Sequence, residues 1–162
     1  MPRAELRIAY PVDDLELEAH CLDALAEALV VINIGWMLEH PEAPCCLACG
    51  GVRYEPPRLC GTPVVCQLVE AAPIILQRRR ATCLGIACYT AAKRRIAGTP
   101  CRVACAPLVD DRGEAIPQAW HALVVDADGT VHDPTAELEL EQRAAARQAP
   151  APAKPSCSTC GA

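Results

Sequence analysis

The chain has 162 residues, 52% of them hydrophobic, a formal net charge of −5 and twelve cysteines. That length suits one domain with a real core, and so apolar a composition excludes disorder for most of the chain. Net acidity and scattered basic residues argue against nucleic acid as a partner, and no Phe, two Trp and three Tyr leave no platform for stacking bases.

The first residues, Met-Pro-Arg-Ala-Glu-Leu-Arg, lack the apolar region of a signal peptide. The longest apolar run, Ala28 to Leu38, is interrupted by Asn33 and falls short of a bilayer span. The expectation is cytoplasmic synthesis without a membrane span. A reducing compartment favours thiols or a metal site over disulfides, although a chain that later leaves the cell could still oxidise.

In chain order, Arg7 to Val12 reads as a short strand or extended arm, and Asp13 or Asp14 as the cap of a long helix reaching about His40. Leu15, Ala19, Leu22, Leu25, Leu29, Ile32 and Trp36 recur at steps of three or four and define its apolar face. Val30, Val31 and Ile34 fall off that stripe, so the C-terminal half is expected to be buried on more than one side. Pro41 to Pro63 reads as an ordered irregular loop with a brief extended segment at Gly51–Tyr54, and Val64 to Ala72 as a short helix ended by Pro73.

Thr82 to Gly98 reads as a helix with Thr82 as its cap, Cys83 in its first turn and Gly98 as its stop. At such an end, unpaired N–H groups and the helix dipole favour a thiolate. Beyond it, Cys101–Cys105, Trp120–Val125 and Thr130–His132 read as strands, with turns at Asp110–Pro117 and Asp128–Gly129. Glu137 to Gln148 has helical composition, and Ala149 onward is a Pro/Ala linker ending in Cys157-Ser-Thr-Cys160.

A thiol nucleophile needs a base, and the base needs an orienting group. His121 opens the strand Trp-His-Ala-Leu-Val-Val, and Asp133 follows the next strand in Val-His-Asp-Pro-Thr. A hairpin turning at Asp128–Gly129 brings the two side by side, and packing on the helix from Thr82 would bring both to Cys83. Cys88, five residues on, looks in another direction around the helix and reads as core. His132 alternates to the opposite strand face from its neighbour.

Cys83 followed by Gly98-Thr99-Pro100-Cys101-Arg102, His121-Ala122-Leu123-Val124 and Asp133-Pro134-Thr135 resembles the transglutaminase-like branch of the papain-like cysteine-protease superfamily. The resemblance covers roughly residues 77–138. It implies an α+β fold, in which a papain-like core packs the nucleophile helix on a small antiparallel sheet, here with an added N-terminal long helix. The implied division is one domain over 1–148, with residues 1–42 as arm and long helix and 74–138 as the Cys-His-Asp core, then a tail over 149–162. The implied activity is a cysteine hydrolase or acyl transferase acting on a peptide or peptidoglycan-type amide, with Cys83 as nucleophile, His121 as base and Asp133 as orienting acid. Gln77, six residues before Cys83, matches the oxyanion glutamine of papain-like peptidases.

Three places depart from the family. Gly85 stands where members commonly carry an acid, Arg80-Ala81 where a glycine usually precedes the cysteine, and the compact Asp128-Gly129-Thr130-Val131-His132 where a Trp usually precedes the Asp-Pro pair. Gly51-Val52-Arg53-Tyr54 after a long helix is similar to small phage- and prophage-encoded proteins of this fold. That implies a virion association, other virion proteins as partners, and a non-catalytic structural or docking role as the alternative to catalysis.

Cys46-Leu-Ala-Cys49-Gly and Cys157-Ser-Thr-Cys160-Gly are two Cys-x-x-Cys-Gly turns, the pattern of zinc knuckles, so Cys46, Cys49, Cys157 and Cys160 are candidate ligands of a structural Zn²⁺. Cys45 and Cys60 are possible substitutes. Disulfides and free thiols remain alternatives for this set, whereas Cys101 and Cys105 share a strand face and read as core.

Overall fold

A computed structural model describes residues 15–56, 58–59, 65–66 and 70–148. The expected arm, the Asp13–Asp14 cap, Cys60 and the Cys157/Cys160 tail lie outside them. In order come helix α1 (Leu15–Glu39), short strands β1 (Arg53–Tyr54), β2 (Arg58–Leu59) and β3 (Val65–Cys66), helix α2 (Ala72–Arg78), strand β4 (Arg80–Ala81) and helix α3 (Cys83–Ile96). Strands β5 (Cys101–Val109), β6 (Ala115–Asp126) and β7 (Val131–His132) and helix α4 (Pro134–Gln148) follow. The described chain is α+β, with its helices around a small antiparallel sheet of order β5-β6-β7.

Helix α3 is the centre. Every residue from Cys83 to Tyr89 is buried, and so are Ala91 and Ala92. Small side chains at Gly85, Ala87, Ala91 and Ala92 let neighbours close in, and α1, β5, β6 and α4 pack around it. Without phenylalanine, Tyr89 is the largest fully buried side chain, and its hydroxyl donates to the Pro44 carbonyl at 2.7 Å.

Helix α1 buries Leu22, Ala26, Leu29, Val30, Asn33 and Met37, whereas Ile32 from the expected stripe is 56% exposed. Val31, expected to be covered, is also exposed. The helix is apolar nearly all round, so periodicity gave no unique inward face. By length and composition its Glu16–Glu39 segment could cross a membrane, and a third of that apolar window is buried against the rest of the chain.

Asn33, the polar break in the apolar run, has a structural task. Ala71 precedes α2 without any side-chain cap bond, and the Asn33 Oδ1 accepts from the Ala72 N–H at 2.8 Å. One helix thereby satisfies an orphan donor at the start of another. Pro73 lies in the first turn of α2 and opens that helix, where the sequence had suggested the end of a helix over Val64–Ala72. Val65–Cys66 instead pairs antiparallel with Arg58–Leu59.

In the sheet, Val103 lies opposite Val124 and Ala106 opposite His121. Cys101, Val103, Ala122 and Val124 form the buried face. The first hairpin turns within 110–114, where the Asp110 carboxylate accepts from the Arg112 and Glu114 N–H groups at 2.8 and 2.9 Å. Strand β6 therefore starts earlier than expected. Strand β7 pairs only with Val124 and Val125, which leaves the β6 edge beside Trp120–Ala122 uncovered by β7.

Candidate active site

Strand β4 delivers the chain to α3. It pairs parallel with β1 through the Arg53 N–H on Arg79 O at 3.0 Å and the Glu55 N–H on Ala81 O at 2.8 Å. Thr82 then takes an extended backbone, and its side-chain oxygen accepts from the Gly85 N–H at 3.4 Å, so Cys83 is the first residue of the helix. At the other end Gly98 adopts φ +84°, the left-handed stop expected of it.

Cys83 Sγ lies at the β6 edge that β7 leaves open, 3.9 Å from the Trp120 carbonyl oxygen, on which the S–H points. The thiol is pushed above its ordinary range chiefly by burial, and the Asp133 charge adds to this. The N–H groups of Ala122, Leu84 and Cys83 itself pull the other way but do not prevail. The helix end acts in the expected direction, but burial outweighs it.

His121 flanks that edge. Its Nε2 lies 2.9 Å from Asp133 Oδ2, which leaves Nδ1 as the nitrogen open to a reacting proton. The other oxygen of Asp133 accepts from the Thr135 and Ala136 N–H groups, both at 3.0 Å, and so caps α4. One oxygen of Asp133 thus faces His121 and the other caps α4. Burial raises its carboxyl, but the Ala136 N–H, the His121 ring and its charge, and the Thr135 N–H outweigh it, and the carboxyl is held below its ordinary range.

Tyr54 of β1 belongs to the same neighbourhood. Burial raises its phenol, and so do the charges of Cys83, Glu139 and Asp133. Sequence reading missed it, because only the β1–β4 pairing brings Tyr54 alongside Ala81. Gln77 is exposed near the end of α2. His132 turns away to Asp126, its Nε2 2.9 Å from an Oδ2 that also accepts from Arg94 at 2.6 Å. Cys88 is fully buried with its sulfur 3.6 Å from Ala26 O, and Cys101 is buried, as expected of core thiols. Cys105 is half-buried against the same core.

A second cluster sits in the loop after α1. The sulfurs of Cys45, Cys46 and Cys49 all lie within 4.8 Å of one another, with Cys46–Cys49 at 3.0 Å and Cys45–Cys49 at 3.6 Å. The Cys49 N–H donates to Cys46 Sγ at 3.3 Å, the bond of a knuckle turn. Tyr89 holds the loop through Pro44 O, and Lys93 through Ala43 O at 3.4 Å. A tetrahedral Zn²⁺ with bonds of about 2.3 Å sets its sulfurs about 3.8 Å apart, so these three positions fit a metal ion with small adjustment. Sharing a proton with Cys49 lowers the Cys46 thiol, while Cys49 is pushed up to about 12, chiefly by Cys46 and then Cys45. A cation would relieve that conflict.

Comparison with protein-family models, curated proteins and solved structures returns no match for this chain.

Proposed function

We propose that the chain is a transglutaminase-like cysteine hydrolase or acyl transferase acting on a peptide or peptidoglycan-type amide. The observation that carries this reading is the His121–Asp133 pair at 2.9 Å beside the edge where Cys83 Sγ lies. His121 Nδ1 takes the Cys83 proton as sulfur attacks the amide carbonyl. The resulting imidazolium returns the proton to the leaving amine as the C–N bond breaks, and a thioester remains. Water or a second amine then cleaves the thioester and regenerates the thiol. Asp133 keeps the ring oriented and stabilises its charged form. The Cys83 and Ala122 N–H groups flank the sulfur and suit a developing oxyanion.

Timed iodoacetamide labelling, located by mass spectrometry, tests this with Cys21, partly exposed on α1 and outside both candidate sites, as internal reference. His121→Ala is expected to slow Cys83 labelling about a hundredfold at about pH 7 while Cys21 is unchanged. Equal Cys83 rates in the two proteins would remove the catalytic reading.

The near-complete burial of Cys83, 1% exposed, favours one alternative, a structural or docking component of a phage particle that keeps the fold without turnover. Its partners would be other virion proteins.

For the thiol cluster the proposed ion is Zn²⁺ with a structural role, held by Cys45, Cys46 and Cys49, with the tail cysteines Cys157 and Cys160 as the source of a further ligand. Metal analysis of the native full chain is expected to find about one zinc per chain. Cys46→Ser should lose it, and removal of residues 157–162 should weaken it. A metal-free native protein would end the zinc proposal.

A further inference from the structure

Asp126 joins the three elements that carry Cys83, His121 and Asp133. It closes strand β6, where it lies opposite Cys101 of β5. Its Oδ2 accepts from Arg94 of α3 at 2.6 Å and from the Nε2–H of His132 in β7 at 2.9 Å. Its buried Oδ1 has no partner among the described residues, so the carboxylate is turned as a whole onto these two donors. All three side chains are partly buried, which strengthens charge-assisted bonds between them. Glu137 Oε1 stands 3.8 Å from the other ring nitrogen of His132, beyond hydrogen-bond reach.

The hairpin closes and α4 docks without His132. The Asp126 N–H donates to Thr130 O at 2.9 Å, the Gly129 N–H to Asp126 O at 3.0 Å, and Pro134 and Thr135 are buried at the start of α4. What His132 adds is the roll of β7. That strand has only two residues, Val131 is exposed, and Asp133 follows at once. His132 lies opposite Val124, whose side chain belongs to the buried face of the sheet. Side chains alternate along a strand, so tying His132 down on that face sends Asp133 to the face of His121. With His132 released, β7 is free to turn and Asp133 Oδ2 to leave His121 Nε2.

We propose that His132 is a positioning residue that, bonded to Asp126 and through it to Arg94, holds Asp133 against His121. This rests on the catalytic reading of Cys83 and His121. Reacting groups work when held within about 0.5 Å of their productive geometry, and a slip of about 1 Å can cost a hundredfold in rate. One carboxylate sets helix α3, which begins with Cys83, against the hairpin β6–β7, which carries His121 and leads into Asp133.

Iodoacetamide labelling of Cys83 relative to Cys21, together with nitrogen-15 NMR of the histidine rings, tests this on the full chain. His132→Ala should slow Cys83 at least about tenfold with circular dichroism unchanged. In the same variant the slowly exchanging proton on His121 Nε2 should be lost as its bond to Asp133 opens. His132→Asn, whose amide is too short to reach Asp126, should behave alike and covers the case in which the alanine variant fails to fold. His132→Gln sets an N–H where Nε2 stood and should restore the rate to within about threefold of wild type. An unchanged rate in the alanine and asparagine variants, a slowed rate with the His121 proton retained, or a glutamine variant as slow as alanine would each overturn the proposal. If His121→Ala leaves Cys83 unaffected, the catalytic reading fails by itself. The His121 proton in the His132 variants then still decides whether His132 positions Asp133.

Discussion

Gly85→Asp is expected to destabilise the fold by about 3–5 kcal/mol, a large share of the roughly 5–15 kcal/mol by which domains are stable. Gly85 lies in the first turn of α3, buried, and a Cβ there would stand 3.1 Å from Ile75 Cδ1 and 3.6 Å from Ala81 Cβ. A carboxylate reaching past those atoms enters apolar surroundings and must lose its hydration. The variant would place at this position the acid that the resemblance leads one to expect two residues after the cysteine. In this chain Ile75 of α2 occupies the space that such an acid needs. Gly85→Ala is the control. Its single methyl would press on Ile75 Cδ1 by a few tenths of an ångström and make ordinary contact with Ala81 Cβ, and the gain in helix propensity of about 1 kcal/mol offsets that contact. Urea denaturation of both variants checks the pair, and a Gly85→Asp protein as stable as Gly85→Ala would show that α2 gives way.

The same contact illustrates what sequence could and could not reveal. The cap at Thr82, the stop at Gly98, the strand bearing His121 and the turn leading to Asp133 were legible because each rests on local chemistry: an oxygen for orphan N–H groups, a left-handed glycine, a two-residue period. The reason for Gly85 was not, since Ile75 lies on another helix. Asn33 is similar. In sequence it is a flaw in an apolar run, and only the approach of α2 makes it a cap. Pro73 was misread because proline punctuates either end of a helix, and the choice depended on a hairpin, β2–β3, with few residues to signal it. The inward face of α1 was lost to excess: with apolar side chains nearly all round, no period singles out one side. The net effect on the Cys83 thiol was not legible for a related reason, because burial by the β6 edge is tertiary and outweighs the local pull of the helix end.

Asp133→Asn and Asp133→Ala should separate the two duties of one carboxylate. Asparagine keeps an oxygen for the Thr135 and Ala136 N–H groups, so α4 stays capped and stability should change by less than about 1 kcal/mol. It removes the charge that faces His121 Nε2, and the His121-dependent labelling of Cys83 should fall by about a hundredfold. Alanine removes the cap as well, and should cost a further 1–2 kcal/mol or thereabouts, about the worth of an N-cap. Acid provides an independent check. Because the folded carboxyl lies below its ordinary value, Asp133 stabilises the fold above the unfolded-state pKa, and that contribution disappears as pH falls through the folded one. The wild-type thermal midpoint should therefore drop more steeply on acidification below the ordinary carboxylate range than that of Asp133→Asn, whose amide does not titrate. If the two midpoints fall in parallel while labelling still collapses in Asp133→Asn, the carboxylate acts on His121 without stabilising the fold. If labelling is unaffected while the midpoints diverge, Asp133 is a helix cap and the triad reading loses its third member.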